Sequence, residues 1–457
     1  MRTNMASGRF KAIDLFAGPG GLSLGLTAAG FQVIAAVEYD KDAGKTYEHN
    51  IGAHTKIEDI TNYPPYKLER ELIKSGLWAD GDDLDLIAGG PPCPGFSLIG
   101  RSKMYGTAKL ENKKLKKEVH RFIAHPKNKL FREFVNYVKH FTPKYFVMEN
   151  VQGMTSYELD DEPIVNVIRR SFGENYNVET EVLDASEFGV PQQRKRIIFI
   201  GTRDDMEIAE YPYSAQVTKV SALEAIRDLW NIEPSTNGEV TVATSSNPRG
   251  TKFRKRMAEW ACTRKDGEKA VGTEKKYNHW TRKTNERDGV LFPLLRSGSP
   301  SYSSKHITIP SSKPRTIYGD IYPSLWESKL KPMFEARGMK VSMRKERHYV
   351  QSNDTKWVMY PNASFKDKMR RIRWDKPAPT IVAHLAKDGY MFVHPVHQRT
   401  ITVREAARFQ SFPDSFVFQG SMTSQFRQVG NAVPPLLAEK LGECIIKALK
   451  QSVKKSE

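Results

Sequence analysis

Two reactive side chains, Cys93 and Glu149, each follow an apolar segment with the composition of a buried strand. Cys93 comes after "LDLIAGGPP" and is one of only 3 cysteines in 457 residues, and Glu149 closes "KYFVME". A thiol acts as a nucleophile when its pKa is lowered or a base lies nearby, and a pocket carboxyl can hold or donate a proton. Because an isolated cysteine is more often a buried apolar thiol, both interpretations stay open at this point.

A glycine-rich loop, "DLFAGPGG" at 14–21, joins a predicted strand over 12–16 to a predicted helix over 22–29. Glycines let the backbone approach a ligand closely, and the N–H groups of a helix start are donors to an anionic group. The G-x-G-x-x-G spacing is absent, which argues against a nicotinamide oxidoreductase. Glu38 ends the next apolar segment, where a carboxylate can accept hydrogen bonds from ribose hydroxyls. S-adenosylmethionine, which has a ribose but no pyrophosphate, fits both features.

Apolar strand patterns alternate with helical patterns through the first 205 residues. "QVIAAVE", "LDLIAGG" and "KYFVMEN" are predicted strands, "FREFVNYVKHF" has helical spacing, and "NVETEVLDASEFGVPQQRKRIIFIGTR" predicts two strands around a turn. This alternation predicts an α/β fold with a doubly wound, mostly parallel sheet. Because ligands of such sheets bind beyond the carboxyl ends of the strands, we expect Cys93 and Glu149 at one edge, beside the glycine loop.

The texture of the chain changes after the predicted sheet. Polar, basic and Gly/Ser/Pro-rich stretches dominate 206–395, and helical patterns return in "TVREAARFQSF" and "PPLLAEKLGECIIKALK". We therefore expect a catalytic and cofactor-binding domain over 1–205 and a smaller, irregular domain over 206–395. An inter-domain segment would follow over 396–427, and 428–457 would complete the first domain.

Composition narrows the class of protein further. The net charge of +18 favours a polyanionic partner such as nucleic acid, although a solubilising surface is the alternative. The sequence has no apolar run long enough for a transmembrane helix and no secretory signal at its N-terminus, so we expect a cytoplasmic protein without membrane contact. Cys93, Cys262 and Cys444 are too few for a disulfide framework, and no Cys/His spacing fits a metal site.

Six motifs in a fixed order make the chain resemble the cytosine-C5 DNA methyltransferases. They are "DLFAGPGG", "GGPPCPGFS", "ENV" at 149–151, "QQRKR" at 192–196, "TVREAARFQSFPD" and "QVGNAVPP". One such motif alone is weak, but six in family order are specific, and they cover both ends of the chain outside roughly 206–395. The resemblance implies the Rossmann-like fold of S-adenosylmethionine-dependent methyltransferases, with the irregular region as a target-recognition domain.

The resemblance also implies a reaction. The thiolate of Cys93 would attack C6 of a cytosine, Glu149 would hydrogen-bond N3 and the exocyclic amine, and the activated C5 would take the methyl group from S-adenosylmethionine. Loss of the C5 proton and elimination of Cys93 would release 5-methylcytosine. Arg196 would contact the base O2 and Arg194 would help orient the site, with an ordinary basic strand edge as the alternative for both.

The same matching implies the residues around the cofactor. Glu38 would bind the ribose, Tyr39 would lie against the adenine, and Asp59 with Ile60 would hold the adenine edge. For Asp59 a plain polar turn is the alternative, and for Asn431 a purely structural role is. The remaining residues expected around the cofactor are Phe16, Ala17, Gly18, Gly20, Gly21, Pro91, Asn431 and Ala432.

DNA contact is expected from two basic regions, because the target cytosine must be rotated out of the duplex. The segment 97–129 resembles the family's mobile loop that closes over DNA, with a solvated basic helix as the alternative. Its candidate contacts are Ser97, Arg101, Lys103, Lys113, Lys114, Lys116 and Lys117. Candidates in the target-recognition domain are Lys252, Arg254, Lys255, Arg256, Arg370, Arg371, Arg373 and Thr380. Three polar residues of a later motif are instead expected to organise inter-domain packing: Arg404, Glu405 and Arg408.

These inferences predict a monomeric DNA (cytosine-5-)-methyltransferase that acts on double-stranded DNA. It would be a solitary enzyme or one half of a restriction-modification system whose endonuclease acts separately. The alternatives are the same reaction on tRNA and a non-catalytic DNA-binding relative. The large irregular region favours DNA, and the presence of both Cys93 and Glu149 argues against a non-catalytic relative. Pro94 departs from the family, where many members carry Gln, and its missing N–H removes a possible contact.

Overall fold

A computed structural model describes most of the chain. It covers residues 10–79, 81–92, 130–159, 162–213, 218–230, 232–241, 252–260, 262–263, 269–270, 275–284, 292, 315–319, 331–336, 338, 340–344, 347–352 and 371–456.

One sheet dominates the first 205 residues. Its strands are β1 (Lys11–Leu15), β2 (Gln32–Glu38), β3 (Thr55–Ile57), β4 (Leu86–Gly89), β5 (Tyr145–Val151), β8 (Tyr176–Asp184) and β9 (Lys195–Arg203). Within the described residues these seven strands run in the order β3-β2-β1-β4-β5-β9-β8. The first five are mutually parallel, whereas β9 is antiparallel to both β5 and β8. The predicted α/β fold with a mostly parallel sheet is confirmed.

The helices that cover this sheet follow from its apolar strands. They are α1 (Gly21–Ala29), α2 (Lys41–Asn50), α3 (Pro65–Lys74), α4 (Phe131–Phe141), α5 (Ile164–Ser171) and α11 (Pro435–Ser456). All four residues of β4 are buried, and so is every residue of β1 except Lys11. Strands buried on both faces read as continuous apolar runs, and these runs require helices on both sides of the sheet.

Each face of the sheet has its own core. On one face, Phe134 and Phe172 pack edge-to-face and Phe146 stacks on Phe172, in a cluster to which α3, α4 and α5 contribute. On the other face, Leu26 of α1 and Leu441 of α11 belong to a second cluster, together with strand residues. The C-terminal helix therefore packs on a sheet built from the first 205 residues. The domain boundaries themselves stay a prediction.

The region between the sheet and α11 contains short elements around a third core. Its helices are α6 (Ala222–Ile226), α7 (Lys252–Glu259), α8 (Lys331–Glu335), α9 (Val403–Phe409) and α10 (Met422–Asn431). Its strands are β10 (Val240–Thr241), β11 (Cys262–Thr263), β12 (Lys269–Ala270), β13 (Lys275–Lys276), β14 (Arg315–Gly319), β15 (Lys340–Arg344) and β16 (Arg347–Ser352). A small hairpin of β6 (Glu158–Leu159) and β7 (Glu162–Pro163) lies within the sheet domain. The third core joins α6, α7, α9 and α10, and Leu24 of α1 reaches into it.

The charged residues of α9 are structural, but their contacts are not the predicted inter-domain ones. Arg404 is fully buried and donates to the carbonyls of Tyr277 and Pro413, and Arg408 donates to Asp414 at 2.8 Å. Burial alone would raise the pKa of Glu405, but the Arg399 guanidinium holds that pKa well below its usual range. These partners lie within the irregular region, so the three residues organise that region itself rather than its contact with the sheet.

No helix in the described part of the chain combines the length and the apolar character needed to cross a bilayer.

The contact between α1 and α11 generates a stability prediction. A Cβ at Gly25 would lie 2.4 Å from the Pro435 carbonyl oxygen and 2.6 Å from the Glu439 nitrogen, and neither backbone atom can move freely. Ala is ordinarily the better helix former, but we expect Gly25→Ala to destabilise the protein by about 1–3 kcal/mol through overpacking. Thermal unfolding measures this effect. Thr27→Ala, at an exposed position of the same helix, is the control, and a Gly25→Ala protein as stable as this control would contradict the expected clash.

Candidate active site and cofactor site

The loop between β1 and α1 adopts a strained conformation with an open side. Phe16, Gly18 and Gly20 have φ values of 58°, 58° and 101°. A positive φ is costly for a bulky residue such as Phe16 and persists only where the surroundings impose it. A Cβ at Gly18 would meet no atom within 4 Å, whereas one at Gly20 would lie 2.2 Å from Ile51 Cδ1. Gly20 is therefore required for packing, and Gly18 leaves space that a ligand can occupy.

The Glu38 carboxylate joins this loop to the end of β2. Its Oε2 accepts a hydrogen bond from the Gly18 N–H and its Oε1 accepts one from the Asp40 N–H, each at 2.7 Å. Burial raises the pKa of Glu38. Each carboxylate oxygen has a further lone pair, so both can still accept hydrogen bonds from hydroxyl groups. Tyr39 beside it is 72% exposed, which leaves an aromatic face available for stacking.

Asp59 and Ile60 lie just beyond β3, the neighbour of β2. Asp59 Oδ1 accepts hydrogen bonds from the Thr61 N–H at 3.0 Å and the Thr61 hydroxyl at 2.8 Å, so it caps a turn. Ile60 is buried. The polar-turn interpretation of Asp59 therefore has a structural basis, and a ligand contact through its other oxygen is compatible with it.

A buried hydrogen-bond chain underlies the loop. The Ser23 hydroxyl donates to Asp14 Oδ2 at 2.6 Å, and the Tyr47 hydroxyl donates to Ser23 Oγ at 2.8 Å. The Tyr47 hydroxyl hydrogen is thereby used, so His54 Nε2, 2.8 Å from the Tyr47 oxygen, must be the donor in that contact. Asp14 Oδ1 has no hydrogen-bond partner within the described part of the chain, and burial raises the Asp14 pKa to about 7. Burial also lowers the pKa of His54 to about 4.

The last part of the chain closes the same end of α1. A Cβ at Gly21 would lie 2.2 Å from the Val433 carbonyl oxygen, so the "GNAVPP" segment passes directly over the helix start. Ala432 is buried, and Asn431 at the end of α10 is exposed. The glycine loop and residues 431–433 are thus neighbours in space, as their grouping around one cofactor requires.

Glu149 and Arg196 meet across an antiparallel strand pair. In the register of β5 and β9, Glu149 faces Ile198 and Val151 faces Arg196. Arg196 Nε lies 2.8 Å from Glu149 Oε1 as an ion pair, and each side chain is 13% exposed. Among the residues that the structure describes, this Oε1 has no partner with the alignment of a hydrogen bond, so its contact with Arg196 is mainly electrostatic. A carboxylate and a guanidinium that keep slight access to solvent can exchange this contact for a polar ligand.

The segment that leads to Cys93 contacts β5, the strand that carries Glu149. The Asn150 side chain donates to the Pro91 carbonyl at 3.1 Å, and a Cβ at Gly90 would lie 3.4 Å from Glu149 Oε2. Asn150 and Gly90 were not predicted as site residues, although both belong to quoted motifs. Cys93 itself lies outside the described residues, which reach Pro92. Its role as the nucleophile stays a prediction.

Arg194 joins β9 to the irregular region. Its fully buried guanidinium donates to the carbonyls of Ile381 at 3.0 Å and Gly430 at 3.3 Å. Burial, followed by the charge of Arg196, lowers the Arg194 pKa to about 9 against the opposing effect of Glu149. Gln192, also fully buried, donates to the Phe409 carbonyl and accepts from the Ile381 N–H. Arg194 therefore positions neighbouring backbone, which agrees with an orienting rather than a substrate-binding role.

One predicted DNA contact requires correction. Arg371 is buried, donates to the carbonyls of His394, His397 and Phe292, and has its pKa lowered by burial to about 10. The prediction that it binds DNA is wrong, because its guanidinium is already used inside the fold. Arg254 pairs with Asp228 and keeps 14% of its side chain accessible, so its DNA contact stays a prediction.

The other predicted DNA contacts have varied environments. Arg256 pairs with Glu439 at 2.6 Å and lies over the Trp260 ring, yet it is 48% exposed. Arg373 pairs with Asp375. Thr380 donates to the carbonyl of Gln193, which lies just before Arg196 in the sequence, and remains a candidate. The candidates outside the described residues are Ser97, Arg101, Lys103, Lys113, Lys114, Lys116, Lys117 and Arg370.

Fold and site together define an α/β enzyme with a ligand loop and a carboxylate–guanidinium pair at one sheet edge. A family model for C-5 cytosine-specific DNA methylases matches residues 10–447. The chain is 33% identical to the type II methyltransferase M.DdeI of Desulfomicrobium norvegicum, over 95% of this chain and 88% of that protein. It is 30% identical to the type II methyltransferase M.AgeI of Thalassovita gelatinovora, over 95% of this chain and 99% of the relative. The chain belongs to the C-5 cytosine-specific DNA methylase family, and its reaction is methyl transfer to C5 of cytosine in DNA.

A solved structure shows the same fold. A crystal structure described as a candidate DNA modification methyltransferase of an E. coli prophage superposes with a TM-score of 0.62 at 23% identity. The match covers 96% of this chain and 99% of that one.

The buried Asp14 carboxyl generates a prediction on pH. Its pKa is about 7 in the folded protein against 3.8 for the free side chain, so between these values the folded state binds the extra proton. The contribution of Asp14 to stability then falls as pH rises from about 4 to 7, by up to about 1.4 kcal/mol per pH unit, and levels off above 7. The Asp14→Asn variant lacks this carboxyl and its pH dependence. The stability of the variant relative to wild type should therefore increase as pH rises through this range. Thermal unfolding from pH 5 to 8.5 measures the difference.

The control for this experiment is Asp204→Asn, which changes an exposed carboxyl and should follow wild type at every pH. Parallel pH profiles for Asp14→Asn and wild type would contradict the raised Asp14 pKa.

Proposed function

We propose that this protein is the modification enzyme of a type II restriction system. It transfers a methyl group from S-adenosylmethionine to C5 of one cytosine within a specific duplex sequence, through a covalent bond between Cys93 and C6. The observation that carries the site assignment is the Glu149–Arg196 pair at 2.8 Å. Asn150, the residue after Glu149 on β5, donates a hydrogen bond to the segment that leads to Cys93.

The pair is suited to receive a flipped cytosine. Arg196 has donors for the base O2, and Glu149 has two oxygens for N3 and the exocyclic amine. In the free protein the two side chains form an ion pair. A cytosine entering between them would replace this contact with hydrogen bonds from protonated N3 and the exocyclic amine to Glu149 and from Arg196 to O2, so neither charge would be left without a partner.

The bond changes at the base are those that the family resemblance implies. The Cys93 thiolate would form a bond to C6, and the electrons of the C5–C6 double bond would move through C4 towards N3, where Glu149 would stabilise the added proton. C5 becomes nucleophilic and would bond to the methyl carbon of S-adenosylmethionine as the bond between that carbon and the sulfonium sulfur breaks, which leaves S-adenosylhomocysteine. Removal of the C5 proton then restores the C5–C6 double bond and expels the Cys93 thiolate. Arg194 contributes by fixing the start of β9 through the carbonyls of Ile381 and Gly430.

The residues around the glycine loop fit S-adenosylmethionine. Glu38 has free lone pairs for the ribose hydroxyls, the exposed Tyr39 ring can cover the adenine, and Gly18 opens on unoccupied space. When bound, the cofactor supplies an electrophilic methyl group. Further lining is assigned to Phe16, Ala17, Gly20, Gly21, Asp59, Ile60, Pro91, Asn431 and Ala432.

The biological setting rests on the relatives and on charge. M.DdeI and M.AgeI are named type II methyltransferases, which supports protection of DNA from a separately acting endonuclease. The net charge of +18 favours a polyphosphate substrate. We assign the protein to the cytoplasm as a monomer, since one active site modifies one base.

Methyl transfer to two nucleic acids tests the proposed function. The purified chain is incubated with labelled S-adenosylmethionine and either mixed-sequence duplex DNA or tRNA. We expect label in DNA alone, with no detectable transfer by Cys93→Ala and a loss of about 10²-fold or more for Glu149→Gln. Cys444→Ala, at a half-buried thiol of α11, is the matched control and should retain full activity.

Two outcomes would contradict the proposal. Transfer of the label to tRNA alone would show that DNA is not the substrate. A covalent adduct with 5-fluorocytosine DNA that still forms in Cys93→Ala would refute the assigned nucleophile. Bisulfite sequencing of DNA from cells that express the protein would show which sequence is methylated.

A further inference from the structure

The segment 416–428 forms several hydrogen bonds with α2, the helix that follows β2. Thr46 on α2 donates to the Gln428 side chain at 2.7 Å, and its oxygen accepts from the Gln419 N–H at 2.8 Å. Asn50 exchanges two hydrogen bonds with the backbone of Val417, at 2.9 and 2.8 Å. Because Thr46, Asn50 and Gln428 are buried, these contacts hold α2 firmly against α10.

One ion pair extends this contact to the cofactor residues. Arg427, the residue before Gln428, places its Nη2 2.9 Å from Asp40 Oδ2. Asp40 makes two further contacts that fix its position. Its Oδ1 caps α2 by accepting from the N–H groups of Asp42 and Ala43, and its own N–H donates to Glu38 Oε1 at 2.7 Å.

The charges at this point need a cation. The carboxylates of Glu38 and Asp40 are two residues apart at the end of β2, so they repel one another. Arg427 offsets the Asp40 charge from the side opposite the cap, and this favours the conformation in which the Asp40 N–H points at Glu38. The pair is partly exposed, with 47% of the Arg427 side chain and 28% of the Asp40 side chain accessible, so its loss should not unfold the protein.

We propose that Arg427 is a positioning residue for cofactor binding. It holds Asp40, and Asp40 in turn orients the Glu38 carboxylate and the start of α2. Arg427 belongs to the segment that connects the irregular region to the C-terminal helix, so docking of that segment completes the cofactor site. This inference rests on the cofactor site proposed above.

The test is direct binding of S-adenosylmethionine by isothermal titration calorimetry without DNA. We expect Arg427→Gln to weaken binding about two- to five-fold, since an exposed pair contributes up to about 1 kcal/mol. Arg427→Lys, which restores the positive charge, should recover most of the affinity. At saturating cofactor, kcat and the KM for DNA should stay at wild-type values, and the thermal unfolding curve should not shift.

Two further variants make the result decisive. Arg170→Gln, on α5, removes a partly exposed ion pair with Glu162 of β7 and should bind cofactor as wild type does. Glu38→Gln reports on the cofactor site itself and should weaken binding more than Arg427→Gln.

Each contrary result points to a different failure. If Glu38→Gln weakens binding and Arg427→Gln does not, the positioning role is overturned while the cofactor site stands. A change in the KM for DNA alone would make Arg427 a phosphate contact instead. An equal loss in Arg427→Lys, with a lowered melting temperature, would show a purely structural role. Absence of saturable binding by the wild-type chain would overturn the proposed cofactor site and this inference with it.

Discussion

The antiparallel pairing of β5 with β9 is the constraint on which the candidate site depends. It brings Arg196 to the Glu149 carboxylate, and the residues just before β9 contact the irregular region. Arg194 and Gln192 there contact backbone groups of residues 381, 409 and 430. A shift of register by one residue would turn these side chains to the opposite face of the sheet. The carboxylate, its guanidinium partner and the contact between the two regions would then be lost together.

Buried arginines explain how the described parts of the irregular region keep a defined path between their short helices and strands. Arg371, Arg404 and Arg408 direct their guanidinium groups at backbone carbonyls or carboxylates instead of solvent. Five donors in one plane can satisfy several carbonyl groups that no helix or sheet would pair. A buried guanidinium is tolerated only when such partners are present, so each of these residues fixes the path of the segments around it.

Local patterns in the sequence were sufficient for the sheet. The strand predicted over 12–16 and the helix predicted over 22–29 differ from β1 and α1 by one residue, because buried parallel strands are continuously apolar and the glycines mark the turn between them. Glu149 and Arg196 were found through motifs that are short and contiguous. Arg371 was not assigned correctly, because the sequence shows that a residue is basic but not whether backbone carbonyls surround it. The contact of Thr46 with Gln428 spans 382 positions, and neither local spacing nor charge indicates such a pairing.

The strained loop and the segments that cover it explain why the cofactor residues come from both ends of the chain. Phe16 keeps a positive φ, and the short loop between Leu15 and Gly21 has few contacts of its own to impose that conformation. The imposing contacts are supplied from outside: Glu38 binds the Gly18 N–H, Tyr47 and Ile51 of the α2 region pack under Gly20, and residue 433 covers Gly21. The segment that precedes residue 433 also holds α2. The same part of the chain therefore supports the loop directly at Gly21 and indirectly through α2. A geometry suited to the cofactor therefore requires that the C-terminal part of the protein has already folded back onto the sheet.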